Sequence, residues 1–278
     1  MKPRSNFAQL WTSNLKGIEL FQAHFIRHTF NKHFHESYTI GLNDGGRGQC
    51  LYRGTICDNN PGSFNLINPG EVHTGQVADE GGWAFRNLYI SVPLMESLLF
   101  QTEWSGEKRP HLQGLSIRDE SLRLLFNRLF LAIDEPTSLL KQQSLLLEFL
   151  STLFLRYGEF GSITSASRNE SKAVAIVRSY IEAHYVDNIS IETLSNLVGL
   201  SPYYLIRSFR QQVGLPPHGY QGQVRLLRAK QALRSPQSLA EVAVNVGFYD
   251  QSHLTRKFKQ SFGITPGQYR QSNFVQYD

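Results

Sequence analysis

Val242–Arg270, VAVNVGFYDQSHLTRKFKQSFGITPGQYR, is the stretch from which the C-terminal part of this 278-residue chain is read. Much of it recurs toward the N-terminus. Val198-Gly199-Leu200 precedes Val246-Gly247-Phe248 by 48 residues. Leu205-Ile206-Arg207-Ser208-Phe209-Arg210-Gln211 precedes Leu254-Thr255-Arg256-Lys257-Phe258-Lys259-Gln260 by 49, and Gly214, Pro217 and Tyr220 match Gly263, Pro266 and Tyr269 at that same offset. The chain holds two copies of one structural unit.

Each copy has the pattern of a helix-turn-helix, over about 190–214 and 239–263. A short amphipathic helix, Ile191–Val198 or Leu239–Val246, offers Leu194, Leu197 and Val198, or Val242 and Val246, to a core. A glycine follows where the chain turns sharply, in the left-handed region that glycine enters at little cost. The second helix starts behind a capping residue, Ser201 with Pro202 after it in one copy and Asp250 in the other. Leu205 and Phe209, or Leu254 and Phe258, make its inner face. The outer face then carries Tyr203, Tyr204, Ile206, Arg207 and Arg210 in the first copy, and Gln251, Ser252, His253, Thr255, Arg256 and Lys259 in the second, with Lys257 beside them.

Those residue types suit a major groove. Arginine pairs with guanine through two hydrogen bonds, glutamine with adenine, and threonine or an aromatic edge meets a thymine methyl. Arg207 and Arg256 are the leading base readers, whereas Arg210, Lys257 and Lys259 lie where phosphate contacts are expected. The charge distribution agrees. Residues 1–168 carry 16 Lys+Arg and 16 Asp+Glu, and residues 169–278 carry 12 and 7, the entire net excess of +5. Within Tyr203–Arg270 ten basic residues face only Glu241 and Asp250, a balance that points to a polyanion such as double-stranded DNA.

The N-terminal half has another texture. Turn signals at Asn43-Asp44-Gly45-Gly46, Arg53-Gly54-Thr55, Asn60-Pro61-Gly62, Asn68-Pro69-Gly70 and Gly81-Gly82 separate Ser37–Leu42, Gln49–Tyr52, Ser63–Ile67 and Phe85–Val92, which are rich in aromatic and β-branched residues. This spacing predicts an antiparallel sandwich or small barrel. From about residue 117 the period becomes helical: Leu122, Leu125, Phe126, Leu129, Phe130 and Ile133 share one face, and Pro136 ends the run. A second helix, marked by Leu146, Phe149, Leu150, Leu153, Phe154 and Tyr157, is apolar over a wide arc. Packing on the barrel and on another chain, or on the barrel alone, both fit that arc. Residues 158–170 are small and polar and read as a linker. The fold class is therefore α+β, divided as a sensor over 1–110, a helical dimerisation and coupling segment over 111–160, a linker over 161–170 and a DNA-binding domain over 171–278.

The second copy, Val242–Arg270, is close throughout to the signature of AraC/XylS-type transcriptional regulators, and the chain resembles that family. The resemblance implies two helix-turn-helix subdomains joined by a long helix, here Gly219–Leu233, reading successive major-groove segments. It places base contacts at Tyr203, Ile206 and Arg207, and at Gln251, Ser252, Thr255 and Arg256. Ile206 departs from the polar residue often found there, which leaves contact with a thymine methyl as its role. HFHESYTIG (His33–Gly41) and PGSFNLINPGEVHTG (Pro61–Gly75) are similar to the family's cupin-like, arabinose-binding-type sensor barrel. The implied protein is a cytoplasmic homodimer responsive to a small-molecule effector, with activation favoured over repression and RNA polymerase as a further partner.

His33, His35 and His73, with Glu71, Trp83 and Arg86, are the expected lining of the effector pocket. No metal or other cofactor is expected. The metal-binding cupin pattern calls for a glutamate where Thr39 and Ile40 stand and a further ligand beyond His73, where Val77 stands, and His73 is one residue too close to Pro69. No nucleophile triad or phosphate-binding glycine loop is recognisable, so no catalysis is expected. A metalloenzyme barrel with a basic appendage and an effector-independent DNA-binding protein are the competing readings. Cys50 and Cys57 match neither a zinc motif nor a disulfide framework. The start, MKPRSNFAQLWTS, lacks the apolar core of a secretory signal, and no run of about 18 apolar residues suggests a membrane span.

Overall fold

Alternation along the strands organises the N-terminal unit. The computed structural model describes residues 6–99, 110–114, 116–134, 138–159 and 171–273; Pro136 and the linker expected over 161–170 lie outside them. The chain separates into two compact units, Met1–Ile163 and Thr164–Asp278.

The first unit begins with nine strands: β1 (Phe7–Thr12), β2 (Ile18–Phe25), β3 (Thr29–His33), β4 (Ser37–Gly46), β5 (Gly48–Tyr52), β6 (Thr55–Asn59), β7 (Phe64–Ile67), β8 (His73–Val77) and β9 (Trp83–Ser91). After them come α1 (Val92–Leu99), the two-residue strands β10 (His111–Leu112) and β11 (Ser116–Ile117), α2 (Glu120–Asp134), α3 (Leu139–Tyr157) and β12 (Gly158–Glu159). One sheet has the order β1-β2-β9-β4-β7-β11 and the other β3-β8-β5-β6, with antiparallel pairing throughout, while β10 pairs with β12. The four expected strand segments are present. Six more, β1, β2, β3, β6, β8 and the two-residue β11, complete the two sheets, and several of these carry too many polar residues to stand out in a linear reading.

Successive side chains of a strand point to opposite faces. On one face of the larger sheet Ile18, Leu20, Tyr38, Ile40, Leu42, Phe64, Leu66, Leu88 and Ile90 share a core with Leu122, Phe126, Phe130, Phe149, Leu153 and Phe154 of α2 and α3. Each such buried side chain contributes about 1.5–3 kcal/mol, so the helices are part of the barrel's own hydrophobic core. α3 starts at Leu139 behind the cap Ser138, earlier than its inward pattern shows, because its first residues are exposed. The opposite face of the sheet meets the smaller sheet: the Phe30 ring of β3 lies 5.6 Å from Phe25, 6.4 Å from Phe85 and 6.5 Å from Trp83. Gly48 of β5 gives the Trp83 indole its place, since a Cβ there would fall 2.3 Å from the ring.

The second unit consists of α4 (Lys172–Ala183), α5 (Ile191–Val198), α6 (Pro202–Val213), α7 (Pro217–Ala232), α8 (Leu239–Asn245), α9 (Gln251–Phe262) and α10 (Pro266–Asn273). The duplication seen in the sequence recurs in the packing. Phe209 meets Tyr220 at 5.7 Å between ring centres, and their counterparts Phe258 and Tyr269 meet at 6.0 Å. The turn glycines are left-handed as expected, Gly199 at φ 67° and Gly247 at φ 88°. Leu197, expected in the core, is exposed instead, because the short α5 buries only the stripe through Leu194 and Ser195.

Candidate nucleic-acid interface and effector chamber

Four side-chain caps set where the helices of the two repeats begin. Ser190 accepts from the Thr193 N–H, Ser201 from Tyr204, Ser238 from Glu241 and Asp250 from His253, the last at 2.6 Å. Ser238 and Glu241 bond reciprocally, forming a capping box. These caps fix the rotation of α6 and α9, and with it the face that each presents. In α6, Leu205 and Phe209 are fully buried while Tyr203, Tyr204, Ile206, Arg207 and Arg210 are exposed, Tyr203 at 75%. In α9, Leu254 and Phe258 are buried; Gln251, Ser252, Arg256, Lys257 and Lys259 are exposed, and His253 and Thr255 are half-buried. The His253 ring rests edge-on against Phe248 at 5.3 Å.

Eight of the ten basic residues of this region fall into two groups. Arg225 donates to the carbonyls of Tyr185, Val186 and Asp187. Arg234 reaches the Tyr269 hydroxyl, and the Lys230 ammonium lies 5.5 Å from the Phe262 and Tyr269 ring centres. These cations hold the helices together. By contrast, the side chains of Arg207, Arg210, Arg256, Lys257 and Lys259 make no hydrogen bond or ion pair among the described residues, and all five are exposed. Exposed cations with unpartnered side chains, four of them at matching places (Arg207 with Arg256, Arg210 with Lys259), form on two capped helices a surface prepared for an anionic partner.

In the barrel, parity assigns the expected effector residues to different places. Trp83, Phe85, Asn87 and Tyr89 lie on the face of β9 turned toward the smaller sheet, whereas Arg86 lies on the helix side. There its guanidinium pairs with both carboxylate oxygens of Asp44 at 2.7 Å, donates to Asn127 Oδ1 at 2.7 Å and lies 5.0 Å from the Phe130 ring centre. The expectation that Arg86 lines the chamber is corrected accordingly. The Glu71 carboxylate is turned to Arg53 and Asn68, and only its backbone carbonyl, which accepts from His73 Nδ1 at 3.0 Å, meets the histidines. Trp83 is buried, with its Nε1–H lacking a hydrogen-bond partner among the described residues.

His33, His35 and His73 do come together. A bulge in the β3–β8 pairing between Phe30 and His33 sets His33 opposite His73. The ring centres of His33 and His73 are 4.3 Å apart, and that of His35 is 4.9 and 5.1 Å from them. Burial, reinforced by the neighbouring His73, holds His33 down to about 3, and burial holds His73 down to about 4, so both rings are neutral near pH 7. Residues that the sequence reading missed adjoin them. Thr39, Asn65, Asn87 and Tyr89 share the inner face of β4, β7 and β9, and the Tyr89 ring lies 5.0 Å from His35. Gly41 leaves room for Asn87, whose Oδ1 would lie 2.4 Å from a Cβ there. Thr39 Oγ1 and Asn65 Oδ1 are buried without partners among the described residues. Their sequence signal is a polar residue at the inward position of an otherwise apolar strand.

A barrel with a polar, partly unsatisfied interior, joined in sequence to a helical unit carrying two exposed basic helices, defines a regulator with a ligand-binding part and a DNA-binding part. An AraC-like ligand binding domain profile matches residues 15–150 and a helix-turn-helix domain profile matches residues 194–272. The HTH-type transcriptional regulator YbfI of Bacillus subtilis is 31% identical over 237 residues, 85% of this chain and 86% of its own length. The HTH-type transcriptional activator RhaS of an Enterobacter strain is 24% identical over 249 residues, 87% of this chain and 88% of its own. The apo structure of a lysine-to-alanine variant of ToxT from Vibrio cholerae matches 94% of this chain and 99% of its own at a TM-score of 0.61 and 12% identity, a likeness of fold. The chain belongs to the AraC-type family of helix-turn-helix transcriptional regulators. It is a DNA-binding regulator of transcription with a ligand-binding domain. Among the described residues no helix is long and apolar enough to cross a membrane.

Proposed function

We propose that the protein is a cytoplasmic, homodimeric activator that binds a bipartite DNA site and answers to a small molecule held in its barrel. The observation that carries this reading is the set of exposed, unpartnered cations on α6 and α9, four of them at equivalent places in two copies of one motif. Tyr203, Ile206, Arg207, Gln251, Ser252, Thr255 and Arg256 face base edges, with Tyr204 and His253 at their margins, and Arg210, Lys257 and Lys259 hold phosphates. Activation is favoured because full-length relatives such as RhaS are named activators, and RNA polymerase is then the further partner. The effector is held by His33, His35, His73, Trp83, Thr39, Asn65, Asn87 and Tyr89. No catalytic role is assigned.

Dimerisation is assigned to α3, on which Leu140, Leu147 and Leu155 are exposed apolar side chains, Leu155 at 86%. Selection of duplexes from a random pool by the full-length chain tests the proposal. Enrichment of two short half-sites about one helical turn apart is expected. A pool without an enriched motif after repeated rounds refutes it.

A further inference from the structure

Three imidazoles in mutual contact inside a barrel raise a question that the effector reading leaves open. His33 donates its Nδ1–H to the Asn31 carbonyl at 2.7 Å, and His73 donates its own to the Glu71 carbonyl at 3.0 Å. A carbonyl only accepts, so the proton sits on Nδ1 and the lone pair on Nε2 in both rings. Backbone carbonyls are also the partners that orient and fix the tautomer of metal-bound histidines. The Nε2 edge of each ring is thereby turned away from its backbone partner, and the two ring centres lie 4.3 Å apart.

One nitrogen from each of His33, His35 and His73 lies within 4.8 Å of the others. A triangle of that size has its corners no more than about 2.8 Å from the centre, against about 2.0–2.1 Å for a zinc–imidazole bond. Each ring therefore needs to move inward by less than about 1 Å, within reach of small side-chain rotations. We propose that His33, His35 and His73 form a binding site for one divalent first-row transition-metal ion of the zinc class. Neutral imidazoles suit zinc, nickel, copper or iron and not magnesium or calcium. Three protein ligands leave a fourth position for a water or an effector atom. The set differs from the metal pattern expected of such barrels, since Thr39 and Ile40 stand where a glutamate is called for. The ion site shares its three histidines with the proposed effector-binding set and is independent of DNA recognition.

The test uses the full-length, untagged chain, stripped with chelator and titrated with cobalt(II). One ion per chain is expected, with visible bands of low-coordinate cobalt–imidazole, displaced by zinc. His73→Gln and His33→Gln should each weaken binding by more than about 100-fold, beyond the ~10–100-fold that follows loss of an outer-shell partner. Should a variant fail to fold, imidazole nitrogen spectra of the unaltered chain with and without zinc decide the matter, through shifts of the Nε2 resonances of His33 and His73 and of one ring nitrogen of His35. Binding that survives in the triple glutamine variant, or the absence of a zinc-dependent Nε2 shift, overturns the site. Selection of a DNA motif remains a separate result in either case.

Discussion

Truncating Arg256 to alanine isolates a single contact with DNA. The side chain is exposed and has no hydrogen bond or ion pair among the described residues, so its removal should leave stability within about 0.5 kcal/mol. Its neighbours Leu254 and Phe258 hold the helix from beneath and do not depend on it. In a complex, a paired contact to one guanine supplies about 1–3 kcal/mol of discrimination, or about 5- to 150-fold in affinity for the preferred sequence. Fluorescence anisotropy with the selected duplex and its single-base variants, at several salt concentrations, reads this directly. Arg256→Ala should lower affinity for the preferred duplex and become indifferent to one base pair, with the salt slope little changed. Lys259→Ala should weaken all duplexes alike and reduce the slope of log K against log salt by about 0.9. If Arg256→Ala behaves like the lysine variant, or changes nothing, the assignment of Arg256 as a base reader is wrong.

Three further outcomes are expected. Gly199→Ala meets open space and carries only the left-handed penalty of about 1–2 kcal/mol, whereas a Cβ at Gly247 falls 3.0 Å from the Val186 carbonyl and 2.8 Å from Arg225 Nε. Gly247→Ala should lose at least about 1 kcal/mol more, and equal urea midpoints for the two variants would contradict this. Leu155→Glu should shift the chain toward monomer in sedimentation equilibrium with its melting temperature retained; an unchanged dimer removes α3 from the interface. For the metal-free chain, His33 and His73 titrate below the ordinary value of 6.5, at about 3 and about 4, so the unfolded chain binds more protons between those values and 6.5. Stability should therefore fall as pH drops from 6.5 toward 4, by about 1.4 kcal/mol per pH unit for each group. Urea denaturation across that range should show a flattened profile in the double glutamine variant, and identical profiles would rule out both titrations.

The second unit was legible because its information is local. A glycine, a cap and two inward apolar residues recur at a fixed offset, and a helix turns those offsets into faces without help from the rest of the chain. Leu197 is the exception, since the sequence period does not reveal how narrow a stripe a two-turn helix buries. The barrel was legible as a class and less so as a site. The bulge between Phe30 and His33 is what sets His33 opposite His73, and no motif in the sequence announces it. Arg86 was misplaced for the same reason, because parity counted from Trp83 becomes meaningful only once Trp83 is known to face inward. Thr39, Asn65 and Asn87 come together through the neighbouring of β4, β7 and β9, a long-range pairing that residue types alone do not specify.

β9 belongs to two environments at once. Its inward side chains, Trp83, Phe85, Asn87 and Tyr89, face the smaller sheet; of its outward ones, Leu88 and Ile90 join the core shared with α2 and α3, and Arg86 ties Asp44 of β4 to Asn127 and the Phe126–Phe130 stack of α2. Only one backbone separates the polar inner face from the helix-facing core. Under the proposed effector binding, a guest that displaced Asn87 or Tyr89 would press on the strand whose far side carries the Arg86 clamp.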